Sequence, residues 1–346
     1  MKILLVVDAH FKEYGGPHTA ISQKIEFLNK KKIINKLIFR NSNTFKFNLD
    51  IDYIIRDFDI VHIYGIWRPF LAKIFYKAKK LKKKIVISPI GSLEPWAIKQ
   101  KWLKKKIAWH LYQKKILNSA DALHATSEIE ANNFLSNNVG KKIVTIGHGI
   151  DVLDKKDPII KTNKEKKLIF FSRIHEKKGL LELINIWKSL KNKDNWKLDI
   201  YGPISNEKYF KKILLAIKKN NLEKQIKYLD SVFNNEHKQK IFFEANAFIL
   251  PSKSENFGIS IGEALSYGLP VLTTYQTPWK IINNYNAGIV FDFSEKNILN
   301  SLDQFMSLKD GDHYKMSLNA INLIKENFES NKILNQYVEL YKSLLV

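Results

Sequence analysis

Short apolar runs alternate with helical stretches along the whole chain. The first run, residues 2–7, stops at Asp8 and is followed by the loop Gly15-Gly16-Pro17 and a helical pattern over 18–29. Such runs are typical of buried strands, and their alternation with helices predicts mostly parallel sheets. The first run is therefore interpreted as a strand and not as a signal peptide. Strands in this half are predicted at 2–7, 36–39, 60–63, 84–88, 122–125 and 142–146.

A charged stretch without periodicity, residues 152–167, separates two similar patterns. We predict an N-terminal domain over 1–155, a linker over 156–167 and a C-terminal domain over 168–326. Residues 327–346 are predicted to form a helix that packs back toward the N-terminal domain. The second half contains predicted strands at 168–171, 197–201, 225–228, 247–250, 270–273 and 288–291. The pattern indicates an α/β protein with two Rossmann-like, doubly wound domains and a cleft between them.

The stretch Leu250–Pro270 holds two glutamates, Glu255 and Glu263, on either side of a predicted helix start at Gly258. A helix N-terminus offers free N–H groups and a positive dipole end, which suits a phosphate. The flanking carboxylates would repel a phosphate, but they accept hydrogen bonds from hydroxyl groups. This pattern fits a nucleotide sugar. The alternative is that both glutamates are surface charges.

A second strand-to-helix joint, Ser172–Ile184, contains Arg173 and Lys178. An arginine fork, a lysine and a helix N-terminus together can bind a diphosphate without a metal, and would stabilise its charge as it leaves. The alternative is that basic residues in a basic chain need no special role. His175, between them, is assigned no role. No metal-ligand spacing is found among the nine histidines, so we expect no cofactor and no metal.

The formal net charge of +23 is concentrated in one segment. Between Lys77 and Lys115 there are thirteen lysines and a single acid, Glu94, so a local anionic partner is expected. The segment Trp96–Leu117 is predicted to be one helix with two apolar stripes. One stripe would pack on the sheet; the other would suit the interface of an anionic membrane, unless both are buried. The stripes consist of Leu103, Ile107 and Leu111, and of Trp102, Trp109 and Ile116, the second being the predicted membrane face.

Four segments resemble the retaining glycosyltransferases of family 4, which have the GT-B fold. They are the Gly15-Gly16-Pro17 loop, Gly147–Asp151 (GHGID), Arg173 with Lys178, and Glu255 through Glu263. The glutamate motif is the most specific of these, and the likeness extends from about residue 3 to about 300. Ser88–Ile98 and Thr277–Trp279 resemble members that build bacterial surface polysaccharides.

The resemblance implies a role for each matching residue. Arg173 and Lys178 would bind the donor diphosphate, Glu263 the ribose hydroxyls, and Glu255 the transferred sugar. The donor would also contact the N-terminal loop and the backbone after Glu255, with Glu255, Arg173 and Lys178 forming the catalytic group. These further donor contacts are Gly15, Gly16, Asn256, Phe257, Gly258 and Ile259.

The N-terminal domain departs from the family pattern. Many relatives have a histidine in the loop after the fourth strand, and the corresponding position here is Ile90. Contacts with the acceptor or sugar are assigned to His62, Tyr64, Ser88 and Gly91. For His62 and Tyr64 the alternative is that they are strand-end residues satisfied within the fold.

We therefore expect a cytoplasmic, peripherally membrane-associated glycosyltransferase. It would use a UDP- or GDP-sugar and a saccharide acceptor on a lipid carrier, in polysaccharide, lipopolysaccharide or capsule synthesis. One alternative is a GT-B epimerase of nucleotide sugars, for which no acid/base pair can be placed. The other is a basic nucleic-acid-binding protein, which would give no reason for Glu255 and Glu263, so no nucleic acid is expected.

Overall fold

Twelve parallel strands form two six-stranded sheets in the part of the chain that this computed structural model describes, residues 1–8, 16–39, 51–152, 165–232 and 234–346. The chain divides into two units, each with one sheet. Unit 1 comprises Met1–Gly149 and Ser330–Val346, and unit 2 comprises Ile150–Glu329. All twelve strands predicted from the apolar runs are present, with ends that differ by at most two residues.

The sheet of unit 1 has the strand order β2-β1-β3-β4-β5-β6. Both of its faces are covered, which explains why β1 after Lys2 and the whole of β3 are buried without alternation. Its strands are β1 Lys2–Val7, β2 Ile34–Phe39, β3 Ile60–Tyr64, β4 Lys84–Ser88, β5 Ala122–Ala125 and β6 Ile143–Thr145. Its first helices are α1 Gly16–Lys30, α2 Ile51–Arg56, α3 Pro69–Lys80, α4 Pro95–Lys99, α5 Trp102–Ala108, α6 Lys114–Ser119 and α7 Glu128–Ser136.

The sheet of unit 2 has the order β12-β11-β10-β7-β8-β9. The order changes direction between β7 and β10, and a ligand crevice is expected at such a switch point. The strands are β7 Lys166–Phe171, β8 Trp196–Tyr201, β9 Ile226–Tyr228, β10 Ala247–Leu250, β11 Val271–Thr274 and β12 Gly288–Phe291. The helices are α8 Leu180–Trp187, α9 Glu207–Lys219, α10 Asn235–Glu244, α11 Ile259–Ser266, α12 Ile281–Tyr285, α13 Glu295–Met306 and α14 Asp310–Asn327.

The last helix, α15 (Ser330–Leu345), belongs to unit 1 although it follows unit 2 in the chain. Its residues Tyr337 and Tyr341 share an apolar cluster with Ile3 and Leu5 of β1. The division of the chain falls between Gly149 and Ile150, earlier than the predicted domain end at 155. Most of the predicted linker lies outside the described residues, and its last two residues belong to β7.

The predicted single helix Trp96–Leu117 is wrong, because the segment is interrupted twice. Lys101 has a left-handed backbone (φ 52°) between α4 and α5, and a π-helical turn spans Trp109–Gln113 between α5 and α6. The segment packs on the core only from Trp109 onward, where the buried Gln113 side chain accepts the backbone N–H of Trp67 at 2.9 Å.

The predicted membrane-facing stripe is corrected for the same reason. Trp109 contacts Trp67, with ring centroids 5.9 Å apart, and Ile116 is buried, whereas Trp102 is exposed. The other stripe, Leu103, Ile107 and Leu111, was expected to be able to pack on the sheet and is exposed instead. No helix among the described residues is long and apolar enough to cross a membrane.

Candidate active site

Two loops of unit 2 lie against each other at the carboxyl edge of its sheet, after β7 and β10. The backbone N–H of Lys253 donates to the carbonyl oxygen of Lys177 at 2.8 Å. Gly179 has a φ of +70°, and a Cβ there would overlap the carbonyl oxygen of Pro251. Because only glycine allows both this conformation and this approach, Gly179 keeps the loops together. The strand order brings together Lys178 and Glu255, which are distant in sequence.

Lys178 and Glu255 form a buried ion pair across these loops. Oε1 of Glu255 accepts hydrogen bonds from the Lys178 ammonium and, at 2.6 Å, from the Ser252 hydroxyl. Burial opposes ionisation of Glu255, but the Lys178 charge and the two hydrogen bonds outweigh it and hold its pKa below the usual range. The bonds that described residues make to this carboxylate both use Oε1, which leaves Oε2 to accept from a hydroxyl group.

Arg173 begins the first loop, and its guanidinium is exposed. In the described part of the chain no carboxylate forms an ion pair with it. An exposed guanidinium next to a buried ammonium gives this edge a positive potential, which suits a diphosphate. His175 has a local function: its Nδ1 accepts the backbone N–H of Lys177 at 3.1 Å and caps the turn that positions Lys178.

Glu263 lies one turn inside α11 and forms a second ion pair. Its carboxylate contacts the ammonium of Lys238, from α10, at 2.5 Å, and both side chains are about three-quarters buried. Helix α11 starts after Gly258, whose φ of +79° explains the glycine. The structure therefore places both predicted glutamates in unit 2, each with a lysine partner.

Trp279 fixes the loop between the two glutamates. Its indole Nε1 donates to the carbonyl oxygen of Phe257 at 2.6 Å, and its ring is fully buried. A Cβ at Gly262 would lie 3.0 Å from the Trp279 ring and 2.8 Å from Ile150, so a small residue is needed there. Because the Phe257 side chain is also buried, this loop can present mainly its backbone to a ligand.

A second polar cluster lies inside unit 1, at the ends of β3, β4 and β5. His62 is fully buried, with Nδ1 at 2.7 Å from the Tyr341 hydroxyl and Nε2 at 2.7 Å from the Ser88 hydroxyl. Ser88 also contacts Nδ1 of His124 at 2.7 Å. Both ring nitrogens of His62 have partners inside the fold, as the alternative interpretation expects, and direct contact between His62 and an acceptor stays a prediction.

Lys24, on α1, is one of the residues of this cluster that sequence reasoning missed. It is only 3% exposed, and its ammonium nitrogen donates to the Tyr64 hydroxyl at 2.7 Å and lies 3.2 Å from the centroid of the Tyr337 ring. No described carboxylate pairs with it. Burial therefore lowers the pKa of Lys24 well below its usual value. A signal existed, because Ile21, Lys24 and Leu28 follow helical spacing on one buried face.

A small cavity borders this cluster. Its volume is about 20 Å³, enough for a single water molecule, and polar groups line part of its mostly apolar wall. Burial lowers the pKa of His148 to about 3. Two of the predicted acceptor contacts, Tyr64 and Ser88, line the cavity, together with Lys24, His124, His148 and Tyr337.

The loop after β4 contains Ile90, at the position where many relatives have histidine. Ile90 has a φ of +51°, which is rare for a β-branched residue and costs on the order of 1–3 kcal/mol. The next residue, Gly91, was predicted to contact the acceptor; its N–H donates to Oε1 of Glu130 at 2.6 Å. Gly15 lies outside the described residues, and Gly16 is the first residue of α1.

Sequence models of two families match the chain in succession. Glycosyltransferase Family 4 matches residues 13–152, and Glycosyl transferases group 1 matches residues 152–323. Within the described ranges, no group of three or more His, Asp or Glu side chains is arranged to hold a metal ion.

Two of the relatives are bacterial proteins. The chain is 24% identical over 323 residues, 90% of its length and 81% of the relative's, to the GDP-mannose:cellobiosyl-diphosphopolyprenol alpha-mannosyltransferase of Xanthomonas oryzae pv. oryzae. It is also 24% identical over 305 residues, 83% of its length and 79% of the relative's, to a 41.2 kDa protein of the cps region of Klebsiella pneumoniae.

The fold matches solved glycosyltransferases over nearly the whole chain. HepE from Anabaena, in complex with UDP and glucose, superposes with a TM-score of 0.77 at 15% identity, covering 99% of this chain and 100% of that chain. The two parallel sheets and this likeness confirm the GT-B fold. The chain belongs to glycosyltransferase family 4.

Proposed function

We propose that this glycosyltransferase transfers a hexose, with retention of anomeric configuration and without a metal, from a UDP- or GDP-sugar to a lipid-linked saccharide. The observation that carries the proposal is the buried Lys178–Glu255 pair at the switch point of unit 2. It combines a cation for a phosphate with a carboxylate that is kept ionised to accept hydrogen bonds from hydroxyl groups. A nucleotide sugar carries the two matching groups, a diphosphate and the hydroxyls of its sugars, next to each other.

Each end of the donor has a proposed partner. The Arg173 fork and the Lys178 ammonium bind the diphosphate, together with the N-terminus of α11 after Gly258. Oε2 of Glu255 accepts from hydroxyls of the transferred sugar. Glu263 accepts from the ribose hydroxyls. Gly15 and Gly16 are proposed to approach the phosphate, and the backbone of Asn256–Ile259 completes the donor contacts.

The proposed reaction takes place on one face of the sugar. The bond between the anomeric carbon and the diphosphate oxygen breaks, and its electron pair goes to the diphosphate, where Arg173 and Lys178 stabilise the negative charge. The acceptor hydroxyl forms the new bond on the same face, and its proton passes to the leaving phosphate oxygen. Glu255 orients the sugar through Oε2, while Lys178 and Ser252 hold that carboxylate through Oε1.

The relatives support the proposed acceptor and cellular setting. The Xanthomonas enzyme is named for an acceptor on a diphosphopolyprenol, and the Klebsiella relative comes from a cps region. We propose a comparable lipid-linked saccharide for this chain, in polysaccharide, lipopolysaccharide or capsule biosynthesis at the inner face of the cytoplasmic membrane. The name of one relative includes GDP, and the HepE structure contains UDP, so both nucleotides are tested as part of the donor.

A donor panel tests this function. Release of UDP or GDP is measured with several hexose donors and a polyprenyl-diphosphate saccharide, with and without a chelator. The anomeric configuration of the first product is read by NMR. We expect the enzyme to transfer the sugar of one donor in the presence of the chelator. The product should have the same anomeric configuration as that donor. Lys178→Ala should lose transfer by about two orders of magnitude.

Lys253→Ala is the matched control. It removes a lysine from the adjacent loop whose ammonium pairs with Glu182 at 2.6 Å and which has no proposed contact with the donor. This variant should keep wild-type turnover. An inverted product, a requirement for added metal, or equal losses in the two variants would each contradict the proposal.

A further inference from the structure

Helices α4 and α5 of unit 1 contain no buried residue. Short helices have little stability of their own and normally depend on an apolar face packed against something else. Here the apolar side chains point away from the core instead. We define the exposed apolar face by the residues Trp96, Trp102, Leu103, Ile107 and Leu111, which are between 43% and 74% exposed.

Positive charge surrounds this face. Residues 95–120 include no Asp or Glu. Six exposed lysines lie within the same segment, and no ion pair involves them in the described ranges: Lys99, Lys101, Lys104, Lys106, Lys114 and Lys115. Whatever covers the face must be apolar where it contacts the tryptophans, leucines and isoleucine, and negatively charged around them.

We propose that the exposed apolar face docks on the surface of an anionic lipid bilayer. Such a surface offers an acyl boundary for Leu103, Ile107 and Leu111, a headgroup layer that tryptophan prefers, and phosphates for the lysines. Nucleic acid would satisfy the lysines but would leave the aliphatic side chains in water. The inference gains its biological meaning from the proposed lipid-linked acceptor, yet binding can be measured without any catalysis.

Another exposed apolar pair provides a matched control. Leu214 and Leu215 lie on α9 of unit 2 between lysines, and they are also exposed. That helix, however, already packs on its own core through Tyr209, Ile213 and Ile217. It needs no further cover, so it should not bind lipid. The comparison separates a docking face from a general effect of leucines among lysines.

Flotation tests the proposal with full-length protein. Vesicles of phosphatidylcholine alone are compared with vesicles that also contain phosphatidylglycerol, at low and high salt. Wild-type protein should float with the anionic vesicles at low salt only. Lys101→Gln/Lys104→Gln/Lys106→Gln should lower the partition coefficient by about 100-fold, since each lysine contributes about a fivefold factor.

Leu103→Ser/Ile107→Ser/Leu111→Ser should lower partitioning by about tenfold or more per residue, because these side chains lose an apolar environment. Leu214→Ser/Leu215→Ser should float like wild type. Absence of wild-type flotation at low salt, or wild-type flotation of the three-serine variant, would overturn the proposal. A stable dimer in sedimentation that the three-serine variant abolishes would assign the face to a second copy instead.

Nucleotide binding distinguishes this inference from the proposed function. UDP and GDP titrations are made on the same samples, since the proposed donor residues other than Gly15 and Gly16 lie in unit 2. Normal nucleotide binding without flotation would overturn the docking proposal alone. Flotation without any nucleotide binding would overturn the proposed function alone.

Discussion

Each unit contains a buried lysine, but the two lysines have different partners. In unit 2 the ammonium of Lys178 faces a carboxylate: burial lowers the pKa of Lys178, the charge and hydrogen bond of Glu255 oppose that shift, and the pKa of Glu255 lies below its usual range. In unit 1 Lys24 faces a phenol and an aromatic ring, and burial shifts it toward the neutral amine. Opposite charges about 4 Å apart gain roughly 4 kcal/mol at an effective dielectric constant of 20, a term that Lys24 lacks.

The candidate site of unit 2 therefore contains an ion pair, whereas the core of unit 1 contains a lysine whose pKa lies well below its usual value. The Lys178–Glu255 pair lies at a switch point beside the exposed Arg173, an arrangement that suits the diphosphate of the proposed donor. The cluster around Lys24 joins β3, β4, β5 and α15 through short hydrogen bonds. These hydrogen bonds connect the strands to α15, and protonation of the buried groups would weaken the connection.

The largest expected effect is on catalysis. Arg173→Ala and Glu255→Ala should each lower the rate of transfer by about 10²–10³-fold, since each removes a group that we propose contacts the donor. Arg173 is exposed, so its removal should change the free energy of unfolding by only about 0.5 kcal/mol. Initial rates and thermal unfolding are measured on the same samples. Near wild-type turnover in either variant would refute the role of that residue.

The next effect is on the stability of unit 2. Lys178→Met or Glu255→Gln alone should cost about 3–5 kcal/mol, because each leaves a buried group without its partner. The double variant should recover much of that loss. Urea unfolding of the four proteins gives the coupling energy directly. Additive losses would show that the two side chains do not stabilise each other.

The smallest effect is on the pH dependence of stability, and it comes from unit 1. In the unfolded chain Lys24 has an ordinary pKa of 10.5, and burial lowers its pKa in the folded protein. Between these two values the unfolded state binds one proton more, so the free energy of unfolding rises by about 1.4 kcal/mol per pH unit. Lys24→Met should remove this slope.

Lys30→Met serves as the control for that slope. Lys30 is on the same helix, and its side chain is 72% exposed. Its substitution should leave the pH dependence unchanged. Urea midpoints are compared from neutral to alkaline pH, and a slope that persists in Lys24→Met would mean that Lys24 is charged in the folded state.

Much of the fold follows from local pattern. Strands such as Lys84–Ser88 and Ala122–Ala125 were predicted with their observed ends, because buried parallel strands are continuous apolar runs. The segment after Trp96 was mispredicted, because periodicity alone does not reveal the left-handed Lys101 or the π-helical turn. Those features depend on tertiary contacts such as the bond between Gln113 and Trp67.

The site could be predicted in part. Arg173, Lys178, Glu255 and Glu263 follow strands or begin helices, and that position is visible in the sequence. The partners Ser252 and Lys238 were not found, because a serine in a loop and a lysine in a charged helix look like many others here. For His62 the sequence leaves a ligand contact and a place within the fold both open, since it does not show that the Tyr341 hydroxyl of α15 contacts the His62 ring.

The position of α15 has a consequence for synthesis on the ribosome. Seven buried residues of this helix complete one face of the unit 1 core. When Gly149 leaves the ribosome, that face is therefore still uncovered, and residues 150–329 must be translated first. At roughly 5–20 residues per second this takes about 10–40 s. Unit 2 can thus fold before the core of unit 1 is complete. During this time the apolar residues of β1 are accessible to chaperones.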